Sequence, residues 1–321
     1  VSDDSRWLAA AASLAARARP LSRPNPGVGA VIVKDGHVIA RGWTQPGGRP
    51  HAEAVALEAA GEAACGATLY VTLEPCAHRS RRGPACADLV SASGLSRVVV
   101  GCEDPDPRTA GDGIARIQAA GIACDLVPSP ACAASLSGYL IRTRLGRPEV
   151  TLKLATSLDG CIATAKGESQ WITGEAARAH THALRARADA ILVGDGTLRA
   201  DNPRLDVRLP GLANRSPERW VLTGGAVPEG WRALTAPDRL GSMDGVQHLF
   251  VEGGAQTASA FLAADLVDVL VLYRAPILIG EGRSAIADIG LSSLGEAHGR
   301  WKLRDRRTLA PDTLEVYERQ R

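Results

Sequence analysis

Residues 72–86, TLEPCAHRSRRGPAC, place Cys76 and Cys86 ten positions apart around a proline, His78 and three arginines. Thiols left free at a surface oxidise, and structural cysteines prefer apolar neighbours, so thiols in so basic a loop point to a ligand. Zinc binds thiolate and imidazole, and a catalytic zinc keeps three protein ligands and one open position. His51, in PHAEA, completes such a set with Cys76 and Cys86. Glu53 stands two residues further on, in the same opening turn, and is more useful as a base than as a ligand. Zinc lowers the pKa of a bound water towards ~7, and Glu53 could take that proton and later protonate a leaving amine. A structural zinc is the alternative; it would want a fourth ligand, for which His78 is the nearby candidate.

The elements that must position these residues follow from periodicity. The segment DDSRWLAAAASLAARARP reads as an amphipathic helix, not as a signal peptide. RPNPGVG is a turn, and AVIVKDGHVIARG is a hairpin, two apolar runs parted by Lys-Asp-Gly. HAEAVALEAAGEAA has helical periodicity, ATLYVTLEPC is a strand running into the basic loop, and PACADLVSASG opens a helix. His51 and Cys86 therefore both fall at helix N-termini, whose dipoles favour negative charge. RVVVGCEDP, GIARIQAAG and IACDLVP continue as strand, helix and strand. Gly and Pro in LGRPEV punctuate the chain, and a second alternation follows. It comprises VTLKLATSLDG (strand), EAARAHTHALRARA (helix), DAILVGDGT, RWVLTGG, QHLFVEGG and DVLVLYRAPIL (strands), and a terminal hairpin, WKLRDRRTLAPDTLEVYER. Strands alternating with helices indicate α/β architecture. Two domains are expected, residues 1–147 and 148–321.

Composition narrows the function. The chain has 321 residues, 45% hydrophobic and 22% charged, with a formal net charge of +2. Its arginines are scattered, without the basic stripe of a nucleic-acid-binding domain. Seven cysteines, an odd number at irregular spacing, argue against a disulfide framework. No apolar run approaches the ~18 residues of a membrane span. A cytoplasmic enzyme with neither nucleic-acid nor membrane partner is the expectation.

H-x-E followed by P-C and a further cysteine is the pattern of zinc deaminases, although here the second cysteine comes ten residues after the first instead of three. PNPGVGAVIV, HAEAVAL, YVTLEPCAH, GPACADLV and DPDPRTAGDGIARIQAAGI together resemble the deaminase half of the bifunctional riboflavin-biosynthesis deaminase/reductases. In that family the second cysteine follows a longer basic loop, which here is about one residue longer still. The resemblance implies a cytidine-deaminase-like three-layer domain. It also implies a substrate, 2,5-diamino-6-ribosylamino-4(3H)-pyrimidinone 5′-phosphate, which loses its 2-amino group. Asn25 and His78 would contact this substrate, and Arg81 or Arg82 would hold its phosphate. Asn25 also has a plain reading as a turn residue of Asn-Pro. Thr44 stands where the family commonly has a histidine.

In the second half, VGDGTLRADNP is not a G-x-G-x-x-G motif. The paired glycines of VEGGAQ either admit a phosphate to a helix N-terminus or merely turn strand into helix. Together RPEVTLKLATSLDGCIA, SQWITG, HALRARADAILVGDGTLRADNPRLDVR and LFVEGGAQ resemble the family's reductase half, which is dihydrofolate-reductase-like and uses NADPH. By that resemblance Ala155, Trp171, Thr197, Asp201 and Gly254 contact NADPH. Ser169, Arg185, Leu205, Arg208 and Glu252 hold the ribosyl phosphate, and the strand charge Lys153 lies at or near the site. Trp171 could instead be a core aromatic, and Asp201 a turn residue. Arg208 and Glu252 are separated by 43 residues, fewer than is usual in the family. The resemblance further implies a homodimer or tetramer. The competing functions are a tRNA or single-stranded nucleic-acid deaminase, a deaminase with a repurposed C-terminal domain, and a zinc-binding scaffold without activity.

Overall fold

The structure is a computed structural model and describes residues 3–78 and 82–321. The chain forms two compact units, Val1–Gly146 and Arg147–Arg321.

The first unit runs α1 (Asp3–Ala15), β1 (Gly29–Lys34), β2 (His37–Trp43), α2 (Ala52–Ala60), β3 (Thr68–Val71), α3 (Cys86–Ser91), β4 (Arg97–Val100), α4 (Asp112–Ala119), β5 (Ala123–Leu126), α5 (Pro130–Ser135) and α6 (Ser137–Leu145). Its sheet has the order β2-β1-β3-β4-β5. The β1–β2 hairpin is antiparallel, and β3, β4 and β5 are parallel. Side chains alternate across these strands. Val31, Val33, Tyr70 and Val99 pack with Trp7, Leu8 and Ala11 of α1 and Cys132 of α5. Ile32, Leu69, Val71, Val98 and Val100 pack with Ala52 and Ala56 of α2, Ala87 and Val90 of α3 and Ile117 of α4. The unit is thus three-layered. Asp4 ties α1 to the sheet by accepting bonds from Tyr70 Oη at 3.1 Å and Arg97 Nη1 at 2.9 Å.

Gly42 decides how closely α2 approaches β2. A Cβ there would lie 2.1 Å from the carbonyl oxygen of Ala52, the residue between His51 and Glu53. Only glycine lets the first turn of α2 rest directly on the strand.

Hydrophobic periodicity does not announce α5 and α6. The signal that could have found α5 is Ser-Pro: Ser129 Oγ accepts a bond from Cys132 N at 3.4 Å, with Pro130 in the first helical position.

The second unit runs β6 (Glu149–Thr156), β7 (Cys161–Thr164), α7 (Glu175–Arg185), β8 (Ala190–Gly194), α8 (Asp195–Asp201), β9 (Glu218–Leu222), β10 (Trp231–Leu234), β11 (His248–Val251), α9 (Ala255–Ala263), β12 (Val269–Arg274), β13 (Gly282–Ser284), α10 (Leu294–Ala297), β14 (Trp301–Leu309) and β15 (Asp312–Arg319). An eight-stranded sheet has the order β10-β9-β8-β11-β6-β12-β15-β14, and β7 pairs with β13 separately. The first six strands in that order are parallel, and the terminal hairpin adds β15 and β14 antiparallel. Leu152, Leu154, Leu192 and Val251 pack against Ala258 and Phe261 of α9. On β12 and β15, Val271, Tyr273, Leu314 and Val316 pack against Ala177 of α7. Residues 195–201 read as the sequel of a strand; they form α8, which Asn202 ends in the left-handed conformation (φ 38°).

Candidate active site

In the first unit His51 occupies the N-cap of α2, and Cys86 is the first residue of α3. Cys76 comes from the loop after β3. One ligand atom from each lies within 4.8 Å of the others. His51 Nδ1 faces both thiols, 3.2 Å from Cys86 Sγ and 3.6 Å from Cys76 Sγ. Cys86 N donates to Cys76 Sγ at 3.3 Å. The Cys86 bond, with help from His51, pulls the Cys76 thiol down to about 4 and correspondingly pushes Cys86 up. Two sulfurs and one nitrogen drawn together in this way are a donor set that fits zinc. His78 is not part of it, so the fourth structural ligand considered above is not found among the described residues.

Glu53 is 3% exposed. Burial pushes its carboxyl up to about 7, against the opposing pull of His51. That range suits a group that must both take and return a proton near neutrality.

Asn25 is more than a turn residue. Its Nδ2 lies 3.1 Å from His51 Nε2 and donates to Gly48 O at 2.9 Å, so it braces the outer edge of the ligand ring. His78 is half-buried, and its Nδ1 has no hydrogen-bond partner among the described residues. Arg82 is exposed and donates to Gly47 O at 2.6 Å. Arg81 lies outside the described residues. Thr44 is buried, and its Oγ1 accepts a bond from Val28 N at 3.0 Å.

Sequence reasoning missed Glu74, quoted above only as part of EPC. Its carboxylate is 2% exposed and accepts four backbone N–H bonds, from Asp104 (3.2 Å), Gly111 (3.0 Å), Gly113 (2.9 Å) and Ile114 (3.1 Å). The first turn of α4 is thereby clamped to the segment that carries Cys76. Gly113 permits the approach, since a Cβ there would sit 2.1 Å from Pro75 O. Tyr139 of α6 holds the same loop through a 2.7 Å bond to Asp104. Glu74→Gln turns an amide nitrogen towards two of these donors. It is expected to destabilise the first unit by about 3 kcal/mol, read as a lower denaturation midpoint for the transition that releases zinc.

In the second unit Glu252 ends β11 and is the hub of an ion cluster. Arg185 donates from Nε to Oε1 at 2.6 Å and from Nη2 to Oε2 at 3.1 Å, and Lys153 Nζ lies 3.4 Å from Oε2. Burial pushes the Glu252 carboxyl up, but Lys153 and Arg185 outweigh it and hold it below its ordinary range. Arg185 also donates to Asp206 O at 3.2 Å. Leu205 is buried with φ 55°, and Arg208 is exposed with its N–H on His182 Nδ1 at 3.3 Å. Ala155 lies near the end of β6, Thr197 and Asp201 on α8 directly after β8, and Gly254 at the N-cap of α9. These positions gather at the C-terminal ends of parallel strands, where open α/β sheets bind ligands. Ser169 is exposed in the loop after β7. Trp171 is 66% exposed with the Arg178 guanidinium 4.9 Å from its ring centre, so it is not a core aromatic. Asp201 is the last residue of α8, not a turn residue.

Comparison with known proteins finds relatives for both halves of the chain. The cytidine and deoxycytidylate deaminase zinc-binding region matches residues 1–102, and the RibD C-terminal domain matches residues 148–236 and 234–314. The riboflavin biosynthesis protein RibD of Escherichia coli is 38% identical over 96% of this chain and 97% of its own length. The chain belongs to the RibD family. RibD of Aquifex aeolicus is 36% identical over 92% of each chain. The structure of Acinetobacter baumannii RibD superposes with a TM-score of 0.86 at 35% identity, covering 99% of both chains. A deaminase/reductase from Thermotoga maritima gives 0.85 at 30%, again covering 99% of both. This member of the RibD family is a bifunctional enzyme of riboflavin biosynthesis, with a deaminase domain and a reductase domain in one chain. The C-terminal domain matches in two pieces that overlap at residues 234–236, between Arg208 and Glu252. No described helix is long and apolar enough to cross a membrane.

Proposed function

We propose that residues 1–147 deaminate 2,5-diamino-6-ribosylamino-4(3H)-pyrimidinone 5′-phosphate and that residues 148–321 reduce the ribosyl group of the product to ribityl with NADPH. The observation that carries this reading is the convergence of His51, Cys76 and Cys86 beside buried Glu53.

Held by His51, Cys76 and Cys86, zinc supplies the Lewis acidity that makes water a nucleophile at neutral pH. Glu53 accepts one proton of the attacking water and passes it to a ring nitrogen. It then takes the remaining proton from the added hydroxyl and delivers it to the amino group, which leaves as ammonia while the carbonyl product forms. Asn25 and His78 orient the pyrimidine. Arg82 or Arg81 binds the phosphate, for which a guanidinium is well shaped.

In the second unit NADPH, when bound, supplies the hydride for C1′ of the opened ribose. Gly254, Ala155, Thr197, Asp201 and Trp171 hold the cofactor at the strand ends. Glu252 fixes Lys153 and Arg185, which together with Ser169, Leu205 and Arg208 bind the ribosyl phosphate. Homo-oligomer formation, as a dimer or tetramer, fits the long edge strand β14 with Leu303 49% exposed, since such edges are usually covered. Seven free thiols suit a reducing, cytoplasmic compartment.

The test is the mass of the product formed from this substrate. Without NADPH the expected change is a gain of about one mass unit, as an amine is exchanged for a carbonyl oxygen; with NADPH, two further hydrogens. The first change alone would confine the chain to deamination, and no change in either reaction would overturn the proposal.

A further inference from the structure

Beside the zinc ligands lies a cleft of about 520 Å³ lined by Arg49, His51, Arg82, Gly83, Cys86 and Leu89, among others. Two segments line its rim, Arg49 to His51 before α2 and Arg82 to Pro84 before α3. Each sends an arginine across to the other. Arg82 Nη2 donates to Gly47 O at 2.6 Å, and Arg49 Nη1 donates to Pro84 O at 3.3 Å. The arginines lie over glycines: a Cβ on Gly47 would be 4.0 Å from Arg82 Nη2, and one on Gly83 would be 3.0 Å from Arg49 Nη1. The sequences of residues 44–51 and 77–85 contain no Asp or Glu. Each guanidinium group thus reaches over the rim to a carbonyl of the opposite segment. The carbonyl bond engages one of the five N–H donors of Arg49, leaving others for an oxyanion.

We infer that Arg49 is the second arm of the clamp for the 5′-phosphate of the deaminase substrate, opposite Arg82, and that it sets the preference for phosphorylated over unphosphorylated substrate. The inference rests on the function proposed above. The chemistry of the substrate favours the rim: the phosphate is separated from the reacting carbon by the rest of the ring and the sugar, so it cannot share the floor with the metal. Two cations on opposite sides would hold a dianion by charge-assisted bonds from both directions. Arg49 was not among the residues singled out from the sequence, because its partner is 33 positions away and only the fold brings the two together.

The experiment compares the zinc-loaded full chain with its Arg49→Gln and Arg49→Lys variants, each assayed for ammonia release from the phosphorylated substrate and from the corresponding nucleoside. Arg49→Gln is expected to raise KM for the phosphorylated substrate roughly tenfold or more, with kcat little changed and kcat/KM for the nucleoside unaltered. Arg49→Lys should recover part of the loss. Equal losses on both substrates would mean that Arg49 only straps the loops together, and an unchanged KM would mean that it does not touch the phosphate; either result overturns the assignment and leaves the deaminase reading standing. Absence of ammonia release by the unmodified protein would overturn both.

Discussion

Glu53→Gln is expected to reduce ammonia release on the order of 10³-fold while the protein still binds one zinc. The substitution keeps the shape of the side chain and removes its ability to accept and return a proton. His51 and Cys86 keep their backbone positions at the starts of α2 and α3, and the Gln side chain can still hydrogen-bond where the Glu53 carboxyl meets Cys86. Zinc content by metal analysis and ammonia release by a coupled assay separate the two properties. A variant that kept full deamination would remove Glu53 from the mechanism, and a non-catalytic zinc scaffold would show no difference at all. Cofactor-dependent reduction of the deaminated product should be unchanged, because the side chains proposed for it all belong to the second unit.

The second large effect is expected at Glu252. Removing this carboxylate by Glu252→Ala leaves Lys153 and Arg185 as neighbouring cations, each with little exposure and no counter-charge between them. Breaking one side of a buried ionic cluster costs about 3–5 kcal/mol, so the thermal transition of the second unit should fall and reduction should be lost. Glu252→Gln, which keeps the packing, should retain more stability and still lose most of the reduction, measured as NADPH oxidation with the deaminated substrate. Deamination by either variant should persist at temperatures where the second unit remains folded. The pH dependence has a definite sign. The Glu252 carboxyl is held below its unfolded value by Lys153 and Arg185, so its stabilisation is fully present above the unfolded pKa of ~4.3. It is lost as pH falls through the lower, folded value.

Much of this protein could be read from its residues in order. Short apolar runs bounded by turn residues announced β1, β3 and β4, because strands covered on both faces are apolar throughout, and Lys-Asp-Gly between two such runs announced the β1–β2 hairpin. The zinc ligands were legible for a similar reason. Imidazole and thiolate at helix starts, with a carboxylate two residues after the histidine, leave few chemical alternatives, and strand–loop–helix context selects among them. Where periodicity was weak, the elements stayed hidden: α5 and α8 are six and seven residues long, too short for a 3.6-residue period to declare itself.

Contacts over long separations were decided only by the tertiary structure. Glu74 is an ordinary member of EPC until folding brings four amides from residues 104–114 onto its carboxylate. Burial, which depends on every neighbouring element, is what pushes Glu53 up to about 7. Trp171 shows the same limit in reverse: its composition suits a core, and only the fold reveals it as exposed beside Arg178. Local residue type and spacing carry the chemistry a chain can perform. Solvent exclusion and the pairing of groups distant in sequence belong to the folded chain as a whole, and here they tune that chemistry.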